Sequence, residues 1–226
     1  MQKPYLYINA SPALNFAKDH LEQWGFPVAD SITDDVTHIL LPIPTRELPK
    51  TAPAGCTWIG GNIPQGIDLL KDPFYLAQNA ALTAHGALSI ALNRLTGCIW
   101  EVPCLILGFG RIAQCLAGLL KALGVRVSIA ARREEQLAMA QALGYDPLPL
   151  ENLSCKGYRL IFNTVPAELG LKEEDFDPNA VKIDLASLPA LPGADTIHTR
   201  GLPGKLLPES SGRLIAARVA YYLKKE

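Results

Sequence analysis

The motif that most clearly indicates a ligand site in this 226-residue chain is a glycine-rich turn. Gly108 and Gly110 follow an apolar run, and Ala113 completes a Gly-x-Gly-x-x-Ala pattern that opens an amphipathic helix. In such a turn the first glycine allows a tight bend, the second lets a diphosphate approach the backbone, and the N–H groups of the helix attract its charge. The pattern predicts a dinucleotide site, with a plain structural turn as the alternative. The residues assigned to this site are Gly108, Gly110, Arg111 and Ile112.

Two arginines follow the second predicted strand of the dinucleotide site, at the position that usually distinguishes NAD from NADP. A protein that binds a free ribose 2′-hydroxyl usually carries Asp or Glu about 20 residues after the glycine turn. Here the chain reads Ala131-Arg132-Arg133, without a carboxylate. A guanidinium group pairs with a 2′-phosphate, which a carboxylate would repel. We therefore predict that Arg132 and Arg133 select NADP, with NAD as the second choice; a solvated start of a helix is the alternative.

Polar residues end two further apolar runs. Ligands of parallel sheets bind beyond the carboxyl ends of the strands, so these residues are predicted to contact the cofactor. The alternative for each motif is a turn whose side chains cap the local backbone. The predicted contacts are Asn163, Thr164, Val165, Pro166, Asp184 and Leu185.

An alternation of strands and helices must position these residues. The first part of the chain predicts strands at 5–9, 36–41 and 57–59 and a helix at 11–24 with Ser11 as its N-cap. The second part predicts strands at 103–107, 125–130, 160–162, 181–185 and 196–198, and helices at 112–123, 134–143 and 208–224. We therefore predict an α/β chain, with a small N-terminal α/β domain at 1–78 and a Rossmann-type doubly wound parallel sheet at 79–226. A helix over 79–95 is predicted to link the two domains. Packing of the C-terminal helix, 208–224, against the first domain is left open.

Composition excludes several classes of protein. Lys and Arg total 21 against 22 Asp and Glu, and this balance argues against a nucleic-acid partner. No apolar run approaches the roughly 20 residues of a membrane span. The five cysteines form no Cys-x-x-Cys pair, and no cluster has the spacing of metal ligands. We expect a cytoplasmic protein without a metal, a membrane segment or a nucleic-acid partner; a homodimer is left open.

The polar motifs occur in an order that resembles the nucleotide-binding A subunit of dipicolinate synthase. The similar segments are Asn-Thr-Val-Pro at 163–166, Ile-Asp-Leu-Ala-Ser at 183–187 and Gly-Leu-Pro-Gly-Lys at 201–205, followed by Pro208 and Gly212. The glycine turn, the Ala131-Arg132 strand end, and Asn79, Thr83 and Gly86 on the linking helix also fit the pattern of that family. The resemblance covers the chain from Asn79 to its C-terminus.

The resemblance implies an NAD(P)-binding subunit of endospore-forming bacteria, in the cytoplasm of the mother cell. Such a subunit works with a second, flavoprotein-like dipicolinate synthase subunit. Together they convert 4-hydroxy-tetrahydrodipicolinate, a small dicarboxylate, to dipicolinate with NADP as hydride acceptor. The alternatives are another NADP-linked oxidoreductase, or a nucleotide-binding partner subunit without catalytic activity.

A dicarboxylate substrate needs cations and hydrogen-bond donors around it. Ser210 and Ser211 are predicted at the start of a helix, where an N-cap is the alternative role. Lys205 is predicted in a loop over 201–205. His85, on the linking helix, is the candidate general acid or base, because histidine exchanges protons near neutral pH. The predicted substrate contacts are Asn79, Thr83, Ser187, Lys205, Ser210 and Ser211.

Overall fold

Residues 4–151 and 153–225 are described by the computed structural model, in which the chain divides into two units. The first unit contains the residues up to Leu82 together with those from Pro203 onward, and the second unit is Thr83–Leu202. Each unit has its own parallel sheet. The predicted α/β class with a Rossmann-type sheet is confirmed.

The first unit is built on five short parallel strands. Its elements are β1 (Leu6–Ile8), α1 (Pro12–Gln23), β2 (Val28–Ala29), β3 (His38–Leu40), β4 (Thr57–Gly60) and β5 (Ile67–Asp68), and the sheet order is β2-β1-β3-β4-β5. Ser11 caps α1 as predicted, because its hydroxyl accepts a hydrogen bond from the Leu14 N–H at 3.3 Å. The short strands β2 and β5 were not predicted.

The long helix α2 (Pro73–Arg94) begins in the first unit and continues into the second. Asp72 caps its start, accepting hydrogen bonds from the N–H groups of Phe74 at 2.8 Å and Tyr75 at 3.1 Å. The other carboxylate oxygen of Asp72 accepts from Arg218 Nε at 2.6 Å. Burial raises the pKa of Asp72, but the hydrogen bonds from Tyr75, Arg218 and Phe74 outweigh it and hold that pKa below its ordinary value.

The second unit carries a six-stranded parallel sheet. Its elements are β6 (Cys104–Leu107), α3 (Arg111–Ala122), β7 (Val127–Ala131), α4 (Glu134–Ala142), β8 (Asp146–Pro149), β9 (Leu160–Asn163), β10 (Val181–Asp184) and β11 (Ile197–His198). The sheet order is β11-β10-β9-β6-β7-β8. Counted from β6, this is the order 3-2-1-4-5-6 of a Rossmann sheet, with its switch point between β6 and β9.

The two faces of this sheet are covered differently. One face packs against α3 and the second half of α2, where Ala84, Ala87 and Ala91 are fully buried. The other face packs against the crossovers from β8 to β9 and from β9 to β10. In the described part of these crossovers the structure assigns a single 3-10 helix, Glu173–Asp175, and no α-helix. Loops therefore cover this second face.

Two helices follow β11, the short α5 (Leu202–Leu206) and the longer α6 (Pro208–Leu223). The predicted loop at 201–205 was wrong, because Pro203 falls in the first turn of α5, where proline is tolerated. Helix α6 packs on α1, and a Cβ on Gly212 would clash with the Ala13 carbonyl oxygen. None of the helices in the described part of the chain is long and apolar enough to cross a membrane.

Candidate dinucleotide site

The glycine turn lies at the switch point, between the carboxyl ends of β6 and β9. Gly108 has a φ of +92°, and a Cβ there would lie 2.6 Å from Thr164 Oγ1 and 2.9 Å from Val165 Cγ2. Both the backbone conformation and the lack of space therefore require glycine. Thr164 secures the junction, because its hydroxyl donates to the Leu107 carbonyl oxygen at 2.8 Å.

Gly110 serves a different purpose from Gly108. It is the N-cap of α3, with φ −83° and ψ −172°, a conformation open to any residue. No neighbouring atom lies within 4 Å of where its Cβ would be, so the space beside it is open. No side chain of the described residues caps α3, and its first N–H groups are left for an external acceptor. An open approach to uncapped N–H groups fits a diphosphate.

A pocket of about 340 Å³ lies beside this turn. The structure brings seven of the predicted cofactor residues together in its wall: Gly108, Gly110, Arg132, Arg133, Thr164, Val165 and Pro166. Four lining residues were not among the predicted contacts: Phe109, Ala131, Gln136 and Leu150. Gln136 lies on the first turns of α4, and Leu150 follows β8, a strand that sequence periodicity did not reveal. The pocket is thus formed by the carboxyl ends of four neighbouring strands.

Both predicted specificity arginines line the pocket, and both side chains have existing partners. Arg132 follows β7 directly, and its Nη2 donates to the Glu168 carbonyl oxygen at 3.4 Å. Arg133 is the N-cap residue of α4, and its Nη1 lies 2.8 Å from a carboxylate oxygen of Glu135. That ion pair is exposed, so it competes only weakly with a ligand. Two cations and an amide side chain therefore define this end of the pocket.

Asn163 and Asp184 form a buried pair behind the pocket wall. Asn163 Nδ2 donates to Asp184 Oδ1 at 3.1 Å, and Asn163 Oδ1 accepts from the Val165 N–H at 2.9 Å. The Asp184 carboxylate also accepts from the N–H groups of Ala186 at 3.0 Å, Ala190 at 2.7 Å and Leu191 at 2.9 Å. These bonds hold the loops after β9 and β10 in place. The pair supports the wall, and its predicted contact with a cofactor stays a prediction.

The remaining predicted cofactor residues lie close to the turn or behind it. Arg111 is exposed at the first position of α3, and Ile112 packs on the core beside α2 and α3. Leu185 is buried in the same core. None of these three is in the described lining of the pocket.

The predicted substrate residues are divided between the two units. Asn79, Lys205, Ser210 and Ser211 belong to the first unit, and Thr83, His85 and Ser187 belong to the second. Asn79 and Thr83 are half-buried on α2, whereas His85, Ser187 and Lys205 are exposed. The N-cap alternative for Ser210 and Ser211 was wrong, because Leu207 holds that position and α6 starts at Pro208. The roles of all seven residues stay predictions.

The described part of the chain contains no group of three His, Cys, Asp or Glu side chains that could hold a metal ion. The donors at the dinucleotide pocket are the backbone N–H groups at the start of α3, two guanidinium groups and the Gln136 amide. These donors suit a phosphate ligand.

The sheet order, the glycine turn and the pocket place the second unit in the dinucleotide-binding fold of NAD(P)-dependent oxidoreductases. No family model matches this chain, and no curated protein matches it. Several solved structures resemble it over nearly its whole length.

Two of these structures are A subunits of dipicolinate synthase. The one from Bacillus halodurans gives a TM-score of 0.84 at 20% identity, covering 98% of this chain and 97% of that chain. The one from Bacillus subtilis gives a TM-score of 0.82 at 19% identity, covering 100% and 97%. A transhydrogenase from Sinorhizobium meliloti gives a TM-score of 0.68 at 13% identity, covering 98% and 93%. At these identities the likeness establishes the fold, and the fold implied by the resemblance in sequence is confirmed.

Proposed function

We propose that this chain is an NADP-binding oxidoreductase subunit of the dipicolinate synthase type. One observation carries the proposal. The pocket at the Rossmann switch point combines a glycine turn with Arg132 and Arg133, and no carboxylate side chain is in its described lining. The two guanidinium groups and the lack of a carboxylate favour a 2′-phosphate over a free ribose 2′-hydroxyl. The structural likeness to two dipicolinate synthase A subunits supports the same class.

The residues present fit the nicotinamide dinucleotide. The uncapped N–H groups at the start of α3 would hold the diphosphate, and the absence of a Cβ at Gly110 leaves room for it. Arg132 and Arg133 would pair with the 2′-phosphate through charge-assisted hydrogen bonds. Thr164 and Val165 form the opposite wall. When bound, the cofactor supplies a hydride acceptor.

The proposed reaction converts 4-hydroxy-tetrahydrodipicolinate to dipicolinate. The ring loses one water molecule, one hydride, which passes to NADP⁺, and one proton. Formation of an aromatic pyridine ring provides much of the driving force. Each step requires a group that moves a proton, and His85 is the side chain we propose for this work.

The substrate carries two carboxylates, which we propose are held by Asn79, Thr83, Ser187, Lys205 and Ser210. The Ser211 residue is only 4% exposed, so Ser210 is the better candidate of the two serines. A flavoprotein-like second subunit is the proposed partner, and the mother cell of a sporulating bacterium is the proposed location. These assignments follow from the resemblance in sequence.

The test is an assay of the purified chain with 4-hydroxy-tetrahydrodipicolinate and NADP⁺, with and without the flavoprotein-like subunit. The proposal expects dipicolinate, detected by its ultraviolet absorbance, together with an equal amount of NADPH. Nucleotide binding without turnover in either arm would indicate a subunit that lacks catalytic activity. NADPH formed only from other hydroxy acids would indicate a different NADP-linked oxidoreductase.

The role of His85 is tested in the same assay by His85→Ala, with His20→Ala on α1 as the matched control. We expect His85→Ala to lower kcat and to remove one limb of its pH profile, and the control to retain both. Unchanged turnover in His85→Ala would remove His85 from the mechanism.

A further inference from the structure

A second pocket of about 410 Å³ lies at the other end of the sheet in the second unit. Its residues come from the amino ends of the strands: Arg126 precedes β7, Asp146 begins β8, and Tyr158 lies shortly before β9. Ser128 of β7 lines this pocket, and Ala131 of the same strand lines the dinucleotide pocket. Three residues of a strand span roughly 10 Å, so the two pockets are separate. We call this second one the amino-end pocket.

The amino-end pocket exists because of the way the chain crosses from β8 to β9. A doubly wound sheet usually places a helix on such a crossover. Here the described residues between Leu150 and Arg159 form turns and no helix. Leu148 of β8 is therefore only half-buried, and it forms an apolar wall of the pocket.

The pocket floor contains a hydroxyl pair that has one proton to spare. Ser128 is 6% exposed and lies in β7 among Val127, Ile129 and Ala130. Its Oγ lies 3.0 Å from the Tyr158 hydroxyl oxygen. One hydrogen bond between two hydroxyls uses one of their two protons, so the other proton is left for an acceptor in the pocket.

Two cationic side chains line the rim of the pocket. Arg126 Nε donates to Asp146 Oδ2 at 2.9 Å, which leaves the outer guanidinium N–H groups of Arg126 for another partner. Lys156 adds a second cation. Arg126 and Lys156 against Asp146 leave one net positive charge among the lining side chains. Asp177 lies close by, and one of its oxygens accepts from the Gly157 N–H at 2.9 Å.

We infer that the amino-end pocket binds a small oxyanion carried on a compact apolar group. Arg126 and Lys156 pair with the anion, the Ser128–Tyr158 hydroxyls donate to it, and Leu148 contacts the apolar part. This inference concerns a site apart from the dinucleotide pocket, and it stands whether or not the proposed function does.

The test uses phenyl phosphate as the probe, titrated into the full chain while amide chemical shifts are followed by NMR. We expect saturable shifts at Ser128, Gly157 and Tyr158. Arg126→Gln should weaken this binding about tenfold or more, because a hydrogen bond to a charged group is lost. Lys156→Gln provides a second variant, and it should keep the fold because Lys156 is exposed in a turn. Inorganic phosphate, which cannot contact Leu148, should bind more weakly than phenyl phosphate.

The dinucleotide pocket is the internal control, because it also offers donors to phosphate. Arg132→Ala should leave the shifts at Ser128 and Gly157 unchanged. Shifts confined to Gly110 and its neighbours would overturn the inference. So would binding at the amino-end pocket that both Arg126→Gln and Lys156→Gln retain in full, or equal affinity for inorganic phosphate and phenyl phosphate.

Discussion

Replacing the two pocket arginines one at a time should weaken NADPH binding to different extents. A hydrogen bond to a charged group contributes about 1.5–3 kcal/mol, which corresponds to about 10–150-fold in affinity. To bind the phosphate, Arg132 gives up only a long hydrogen bond of 3.4 Å to the Glu168 carbonyl oxygen. Arg132→Ala should therefore lose nearly the whole of the about 1.5–3 kcal/mol of binding free energy. Arg133 must first leave its exposed ion pair with Glu135, which is worth roughly 0–1 kcal/mol. Taking about 0.5 kcal/mol for that ion pair, the net loss in Arg133→Ala should be about 1–2.5 kcal/mol, or roughly 5–70-fold.

The assay is a fluorescence titration with NADPH and, separately, with NADH. Because NADH has no 2′-phosphate, both alanine variants should bind it almost as the unaltered chain does. Glu135→Gln should raise NADPH affinity severalfold, since it frees Arg133 from its competing partner. Arg213→Ala, which removes an exposed arginine of α6, is the matched control and should change neither titration.

Three outcomes of this titration would refute the reasoning. NADH could bind the unaltered chain as tightly as NADPH. Both alanine variants could lose NADPH and NADH affinity equally, which would mean that the arginines do not contact the 2′-phosphate. Arg133→Ala could cost more than Arg132→Ala, which would contradict the order derived from their present partners.

Three further predictions concern the glycine turn and the ionic contacts. Gly110→Ala should leave the melting temperature of the free chain unchanged, because the space beside Gly110 is open. The same variant should lower NADPH affinity at least about tenfold, because the added Cβ meets the diphosphate. An unchanged affinity would place the diphosphate elsewhere. Asp72→Ala should cost about 3–5 kcal/mol of unfolding free energy in urea, since it leaves the Arg218 guanidinium, whose side chain is 12% exposed, without its carboxylate and removes the cap of α2. The lowered pKa of Asp72 means that its contribution is present at neutral pH and lost as the pH falls through the folded-state pKa; an acid limb of stability that is identical in Asp72→Asn would contradict this. Burial lowers the pKa of Lys182, but hydrogen bonds from its ammonium to Glu173 and Asp195 outweigh burial and raise that pKa. The contribution of Lys182 to folding stability is therefore full below the unfolded-state pKa of about 10.4, and it is lost as the pH rises through the folded-state pKa. Urea unfolding should therefore show an alkaline loss of stability that Lys182→Met lacks.

The glycine turn could be predicted from sequence because its requirements are local. Gly108 adopts a positive φ directly after β6, and this requirement depends only on its neighbours in the chain. The apolar run before the turn and the amphipathic helix after it can both be recognised in the sequence. Other parts of the pocket depend on tertiary packing. β8 carries Pro147 and Pro149, which argue against a strand, and it forms only because it lies at the edge of the sheet, where a missing N–H is tolerated.

Asn163 and Asp184 show a second limit of sequence reasoning. Polar residues at the carboxyl ends of strands predict ligand contacts, and the sequence cannot show which donors the fold supplies to them. In the structure the Asp184 carboxylate accepts N–H groups from as far along the chain as Leu191. Gln136 is the reverse case, because a glutamine in the first turn of a helix does not indicate a ligand contact until the position of α4 beside β7 is known.

The most direct test of the account is a crystal structure of the chain with NADP⁺. The account predicts the diphosphate at the N–H groups of α3 beside Gly110 and the 2′-phosphate within hydrogen-bond distance of Arg132. A dinucleotide bound with its adenosine ribose away from both arginines, or a diphosphate held elsewhere on the chain, would contradict it.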